Sequence, residues 1–273
     1  MKRVVLFCTA LMFVITTVFA ANVKKEYTVS NFQGIQLFSS PDVIVTQGSI
    51  AKVSAEGPQE LIDKLEISVK NGELIIRPKN NQDFNLQTRR DYYVKIFVQV
   101  PSLNNLAISG SGDILIKNQM NWGTSVTLSI KGSGDIEVNQ IDTKNLKLAV
   151  SGSGDIEVGT IQAAAVESSV QGSGDIKIKR ISSTQLKAST IGSGDIEVKS
   201  GKAKEANFSI SGSGDIKAEN VKADKVIASI AGSGDIKCYA DQSISGKVVG
   251  SGSVTYGGKP RNVNVSKKGF KSK

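Results

Sequence analysis

One carboxylate recurs along this chain with the same neighbours each time. Gly-Ser-Gly appears at Gly110, Gly132, Gly152, Gly172, Gly192, Gly212, Gly232 and Gly250. The successive spacings in residue number are 22, then 20 five times, then 18. In seven of the eight copies Asp-Ile follows, which gives Asp113, Asp135, Asp155, Asp175, Asp195, Asp215 and Asp235. The eighth copy carries Ser253 in place of the acid. Regularly spaced carboxylates are candidate oxygen donors for calcium, which takes roughly six to eight oxygens. Each copy here supplies a single acid, flanked by Gly and Ile, fewer than the Gly- and Asp-rich rolls that bind calcium. The structural reading is that the glycines take corner dihedrals closed to other residues. Asp then accepts local backbone N–H or Ser hydroxyl bonds. The seven aspartates are therefore expected to form a ladder, a candidate binding surface with no metal and no cofactor.

Composition closes most other chemistry. The 273 residues contain no His. That removes Ser-His-Asp and Cys-His catalysis, most general-base chemistry near neutral pH and nearly all zinc sites. Aromatics make up 5%, too few for a stacking platform on single-stranded nucleic acid. A polysaccharide lyase or hydrolase is the enzymatic alternative, and it needs a few carboxylates gathered in one cleft. The acidic array is uniform along the repeat and singles out no coil, so the chain reads as non-enzymatic.

A repeat unit this short is too small to bury a face alone and must stack on its neighbours. Between the motifs apolar residues alternate: Leu146, Leu148 and Val150, then Ile156 and Val158. The phase recurs in Val166, Val170, Ile176 and Ile178, and again in Leu186, Ala188, Ile196 and Val198. Period two predicts strands with one buried face. A slip of three from Val158 to Ile161 marks a corner, and a short third segment over 161–163 follows. Each unit thus holds three short strands and three corners. Stacked in parallel about 4.8 Å apart, such units make an all-β, three-sided parallel β-helix, right-handed by the default of parallel crossovers. No Pro lies between Ser102 and Lys259, as strands that donate to a ladder on both sides require. Cys238 shares the inward register of Val138, Val158, Ile178 and Val198 and is expected to be a buried thiol. Adjacent ladder charges repel by about 0.9 kcal/mol in water before screening. Two residues past Asp135 and each later Asp stand Glu137, Glu157, Lys177, Glu197, Lys217 and Lys237. Lateral pairing among them is the expected offset.

Residues 21–106 read as irregular N-terminal coils with a cap, and 107–258 as the regular repeat. Strands are predicted at 43–45, 65–69, 74–76 and 93–100, a hairpin turn at Asn71-Gly72, a short helix over 58–64 and a polar loop over 80–90. One continuous solenoid from Ile35 onward is preferred to a separate small β-domain. Residues 254–256 and 263–265 would close the far end.

Residues 1–20 have the form of a signal peptide. Met1-Lys2-Arg3 precedes an apolar run over 4–19, and Val18-Phe19-Ala20 offers the small residues that a signal peptidase needs. Cleavage after Ala20 removes Cys8 and leaves Cys238 without a disulfide partner. An N-terminal membrane anchor is the alternative, for which the run is short. The processed chain, with no integral membrane segment, is expected in the periplasm, on the outer surface or outside the cell. Thirty-four basic and 25 acidic residues give +9. The basic tail 259–273 holds six of the cations, Lys259, Arg261, Lys267, Lys268, Lys271 and Lys273, and no acid. Charge so localised on an exported chain does not predict nucleic acid as a partner. The tail reads as a solvated terminus, or as a weak attraction for anionic lipid or polysaccharide.

Tyr93-Val-Lys-Ile-Phe-Val-Gln-Val-Pro-Ser-Leu, leading into Ser109-Gly-Ser-Gly-Asp, resembles the putative auto-transporter adhesin family, also called the head GIN domain family. The resemblance covers about residues 28–255. It implies a right-handed β-helix, residence in the cell envelope or outside the cell, and no catalytic residue. The expected function is an adhesin-like or envelope binding module for a glycan or other cell-surface ligand. A polysaccharide-processing enzyme and a purely structural scaffold are the alternatives.

Overall fold

Period-two segments of the repeat fold as strands that bend without breaking. A computed structural model of the chain describes residues 22–79 and 93–273. The expected signal peptide, with Cys8, and the expected loop over 80–90 lie outside the described residues. From Ile156 to Gly172 the backbone stays extended through two bends. Ile156 and Val158 face inward, then Ile161 and Ala163, then Val166, Ser168 and Val170. The two slips of three residues divide the coil into three faces, and the Gly-Ser-Gly corner leads into the next coil. Each residue pairs in parallel with its counterpart one turn on, as Ile136 with Ile156 and Ile156 with Ile176. Ile136, Ile156, Ile176, Ile196, Ile216 and Ile236 thereby form one fully buried row. The architecture is all-β, a parallel solenoid of about eight turns with about 20 residues per turn.

The corners explain the glycines. At Gly172 φ is +129°, a conformation that a Cβ disfavours. At Gly174 a Cβ would collide with the carbonyl oxygen of Gly154. The amides of Ser173 and Gly174 both donate to the Gly152 carbonyl, at 3.0 and 3.1 Å. Backbone therefore rests on backbone, and side chains are excluded from the contact.

The N-terminal strands depart from chain order. They are β1 (Asn22–Tyr27), β2 (Gly34–Leu37), β3 (Asp42–Gln47) and β4 (Lys52–Pro58), then helix α1 (Gln59–Ile62), β5 (Leu65–Lys70), β6 (Glu73–Pro78), β7 (Lys95–Val100), β8 (Leu103–Ile108) and β9 (Ile114–Ile116). β2 pairs in parallel with both β6 and β8. β3 likewise pairs with both β7 and β9. The β2–β3 coil thus lies between two coils that follow it in sequence, so the coils at this end do not stack in chain order. The reason is local. β4 runs antiparallel to β7, and β5 returns antiparallel to β6 through Asn71 and Gly72, both at positive φ. The chain is thereby carried past the first coil to build outward from it. α1 buries Leu61 and Ile62, and β1 covers β4. At the far end, Ser253–Gly257, Asn262–Val265 and Phe270–Ser272 continue the parallel stack. Residues 259–273 therefore hold two paired strands whose side chains are mostly exposed.

One inward column varies. Leu148, Ser168, Ala188, Phe208, Ala228 and Gly246 stack in register. Small residues on both sides make room for Phe208, the largest fully buried side chain. Ser168 is buried and its hydroxyl has no partner. An orphaned hydroxyl costs about 1–3 kcal/mol, so Ser168→Ala is expected to raise unfolding free energy by about 1 kcal/mol. Ile156→Ala should lower it by about 2–5 kcal/mol. Denaturant titration of the two variants checks both signs. Cys238 is fully buried, and burial pushes its thiol up to about 12. Labelling by a thiol reagent should be slow in the folded protein and complete once unfolded; fast labelling of the native state contradicts this register.

Candidate functional site

All seven predicted aspartates come together in one ladder along the Gly-Ser-Gly corners. In each, Oδ1 accepts a backbone N–H from the next coil: Asp135 donates to Asp113, Asp155 to Asp135, and so on to Asp235, at 2.7–2.9 Å. Ser253 closes the series, donating its amide and hydroxyl to Asp235 Oδ1 at 2.8 and 2.9 Å. The expected local bonds are therefore bonds between coils. Each carboxylate ties its own turn to the next one, and one oxygen of each is committed to that task.

Lysines meet the second oxygens of four ladder acids. Lys177 Nζ lies 2.8 Å from Asp155 Oδ2 and 3.3 Å from Asp175 Oδ2. Lys217 repeats this with Asp195 and Asp215, at 2.8 and 3.6 Å. The lateral Glu157–Lys177 pair expected from the register does not form. Lys177 reaches sideways to two carboxylates at once, and Glu157 takes Lys179 at 2.7 Å instead. The hydrogen bond to Asp155, with Asp175 adding and burial opposing, pushes the Lys177 amine up to about 12.

The ladder extends one coil further than the sequence reading found. Gly110 and Gly112 rest on the carbonyls of Ser39 and Pro41, and Val43 N–H donates to Asp113 O at 2.7 Å, as Ile136 N–H does to Asp155 O at 2.9 Å. Ser39-Ser40-Pro41-Asp42 is thus a corner without glycine, and Asp42 stands in line before Asp113. Lys95 in β7 is paired with Asp42 and ends the line. The residues after the acid held the signal: Asp42-Val-Ile-Val matches Asp113-Ile-Leu-Ile.

The same three coils break the outward pattern. Two residues past the ladder, the regular coils direct Glu137, Glu157, Lys177, Glu197, Lys217 and Lys237 outward. At the N-terminal end this row reads Phe97, Ile44, Leu115, paired side by side. An apolar strip on an outward face has no packing reason within the solenoid. It lies between hollows. One, of about 470 Å³, is bordered by Lys24, Lys52, Ile44, Phe97 and Gln99. The next, of about 250 Å³, is bordered by Ile44, Leu115, Lys95, Asp42, Asp113, Asp135 and Glu137. A third, of about 370 Å³, adjoins at Lys95 and Tyr93, where the Lys95 amine lies 5.1 Å from the Tyr93 ring centre. Asp113 has its carboxyl raised above the ordinary range by burial, with Asp42 and Asp135 adding and the Asp135 amide opposing. No cluster of three or more His, Cys, Asp or Glu side chains suited to a metal occurs among the described residues.

Fold and face together define a β-solenoid with an open, recessed surface near one end. The family model for putative auto-transporter adhesins, head GIN domain, matches residues 31–159 and again 158–260. The chain belongs to that family. It is similar to the crystal structure of a putative lipid binding protein from Parabacteroides distasonis, at 26% identity over 92% of this chain and 96% of that one, with a TM-score of 0.68. It shares its fold with a putative adhesin from the same species, at 19% identity over 93% and 97% of the two chains and a TM-score of 0.65. A putative adhesin from Parabacteroides merdae matches at 18% identity over 92% and 95%, with a TM-score of 0.66. No curated protein matches the chain. No helix among the described residues is long and apolar enough to cross a membrane.

Asp155→Ala removes the acceptor of an inter-coil amide and is expected to cost about 1–2 kcal/mol. Asp155→Asn keeps an oxygen there and should cost less than about half of that. Because the folded Lys177 value is raised, its contribution is complete below 10.5 and is lost as pH rises through about 12. A Lys177→Met variant should therefore show a flatter loss of stability across that window in denaturant titrations. With one oxygen of each carboxylate held by backbone, millimolar calcium should shift the melting temperature no more than magnesium does.

Proposed function

We propose that this is an exported, non-enzymatic, adhesin-like binding module of the cell envelope. Its ligand, a glycan or other cell-surface molecule, occupies the recessed outer face formed by β3, β7 and β9. The apolar row Phe97–Ile44–Leu115 carries the reading: it replaces charge with partly exposed apolar surface on the coils that border the hollows. Lys24, Lys52, Gln99 and Lys95 around it supply hydrogen-bond donors beside a flat apolar strip. A sugar ring has the matching faces, apolar C–H on one side and hydroxyls at the rim. Family membership supports an adhesin-like role. The aspartates in the smaller hollow include ladder members whose Oδ1 atoms hold the next coil, which favours binding over hydrolysis.

The strip and the similarity to a putative lipid binding protein, at 26% identity, support a second reading, in which an acyl chain lies along Phe97, Ile44 and Leu115. One comparison separates the two. The protein and its Phe97→Ser and Leu115→Ser variants are screened on a glycan array and against fluorescent fatty acyl probes. The glycan reading expects array signals that fall at least tenfold in both variants while melting temperatures stay within a few degrees. Acyl binding with a blank array would select the lipid reading. Signals unchanged by either substitution would move the site elsewhere.

A further inference from the structure

The last coil carries a different surface, at the opposite end of the stack from the hollows. Lys259 and Arg261 sit in the bend before Asn262–Val265, Lys267 and Lys268 in the bend before Phe270–Ser272, and Lys271 and Lys273 within and just after that strand. All six are exposed, and among the described residues none forms an ion pair. Three cations at the N-terminal end are paired by contrast: Lys24 with Glu56, Lys25 with Asp63 and Arg77 with Glu66. Acid is also withdrawn from this end. The ladder position that holds Asp from coil to coil becomes Ser253, then Gly269, whose carbonyl accepts the Val254 N–H as each ladder Asp carbonyl accepts its neighbour's. Beside the cations stand two exposed apolar side chains, Val263 at 49% and Val249 at 60% exposure. Gly269 lies against Val248, next to Val249.

We propose that this last coil docks end-on against an anionic phospholipid leaflet. Six unpaired cations on one coil with no acid among them complement a layer of phosphate groups. The valines decide between anionic surfaces. A polyanionic polysaccharide offers only charge and hydroxyls, whereas a leaflet offers an apolar boundary beneath its headgroups. End-on docking would stand the solenoid upright on the leaflet. The N-terminal hollows would then face away from it, roughly 40 Å out for eight turns at about 4.8 Å each. The inference rests on charge and exposure at this end and is independent of what the hollows bind.

Co-sedimentation of the full chain with vesicles tests it. Phosphatidylcholine vesicles are compared with vesicles holding about a third phosphatidylglycerol. Each basic residue near an anionic leaflet contributes roughly fivefold in affinity. The variant Lys267→Glu, Lys268→Glu, Lys271→Glu, Lys273→Glu should therefore bind the anionic vesicles at least about a hundredfold more weakly. Raising salt from about 0.1 to 1 M shortens the screening length from about 10 to 3 Å and should release the unaltered protein. Val249→Ser, Val263→Ser should weaken vesicle binding several-fold and leave any heparin binding unchanged. Equal binding to both vesicle types overturns the proposal, as does full binding by the four-Glu variant. Retention on heparin together with vesicle binding that ignores the two valines also overturns it, and assigns the end to a polyanion instead. If the four-Glu variant does not melt like the parent protein, the salt titration and the valine pair decide the question alone.

Discussion

Backbone rests on backbone at the Gly-Ser-Gly corners, and that contact sets the offset of every coil. With Gly174 against the Gly154 carbonyl there is no space for a side chain, and the next coil can take only one position. Once the corner is fixed, each turn must be completed by the same length of chain. Like residues then stack on like, and the isoleucine row, the aspartate ladder and the varied Phe208 column follow. A stack so regular gains little from any single contact. Its stability is a sum over similar interfaces.

In-register stacking carries an electrostatic difficulty, since equal residues bring equal charges together. The ladder resolves it in two ways. Each Oδ1 takes an amide from the next coil, so the acid becomes part of the inter-coil bonding. Lys177 and Lys217 each bridge two neighbouring second oxygens. No such lysine follows Asp42, Asp113 or Asp135. There the row holds Ile44, Leu115 and Glu137, and the surface opens into hollows. The end of the solenoid where charge compensation lapses is also the end where an apolar strip faces outward.

Most of the regular stack was legible because its two periods, the short one within a strand and the long one between coils, are both sequence properties. Burial of Ile156, Val158 and Val166 follows from parity, and that of Ile161 from the slip of three at the corner. Direction of bonding was not legible: Asp as an acceptor was clear, but the donor lies a full turn away. The reach of Lys177 past Glu157 was hidden for the same reason, since register names the nearest neighbour and a long side chain can choose another. The corner at Ser39–Asp42 escaped a search keyed to glycine. The apolar strip could have been found. Ile114-Leu115-Ile116 and Ile96-Phe97-Val98 are unbroken apolar runs where the repeat alternates, and an unbroken run in an alternating context signals two occupied faces.

The order of coils at the N-terminal end imposes a direction in time. The β2–β3 coil takes both of its neighbours from later in the chain, at β6–β7 on one side and β8–β9 on the other. A chain that emerges amino end first presents β2 and β3 before either partner exists. Each later coil of the regular repeat finds its preceding template already in place. Assembly therefore has one slow, non-local step at the start, followed by single-turn additions that each meet a finished edge. The solenoid grows away from its cap, as a zipper does once its slider is seated.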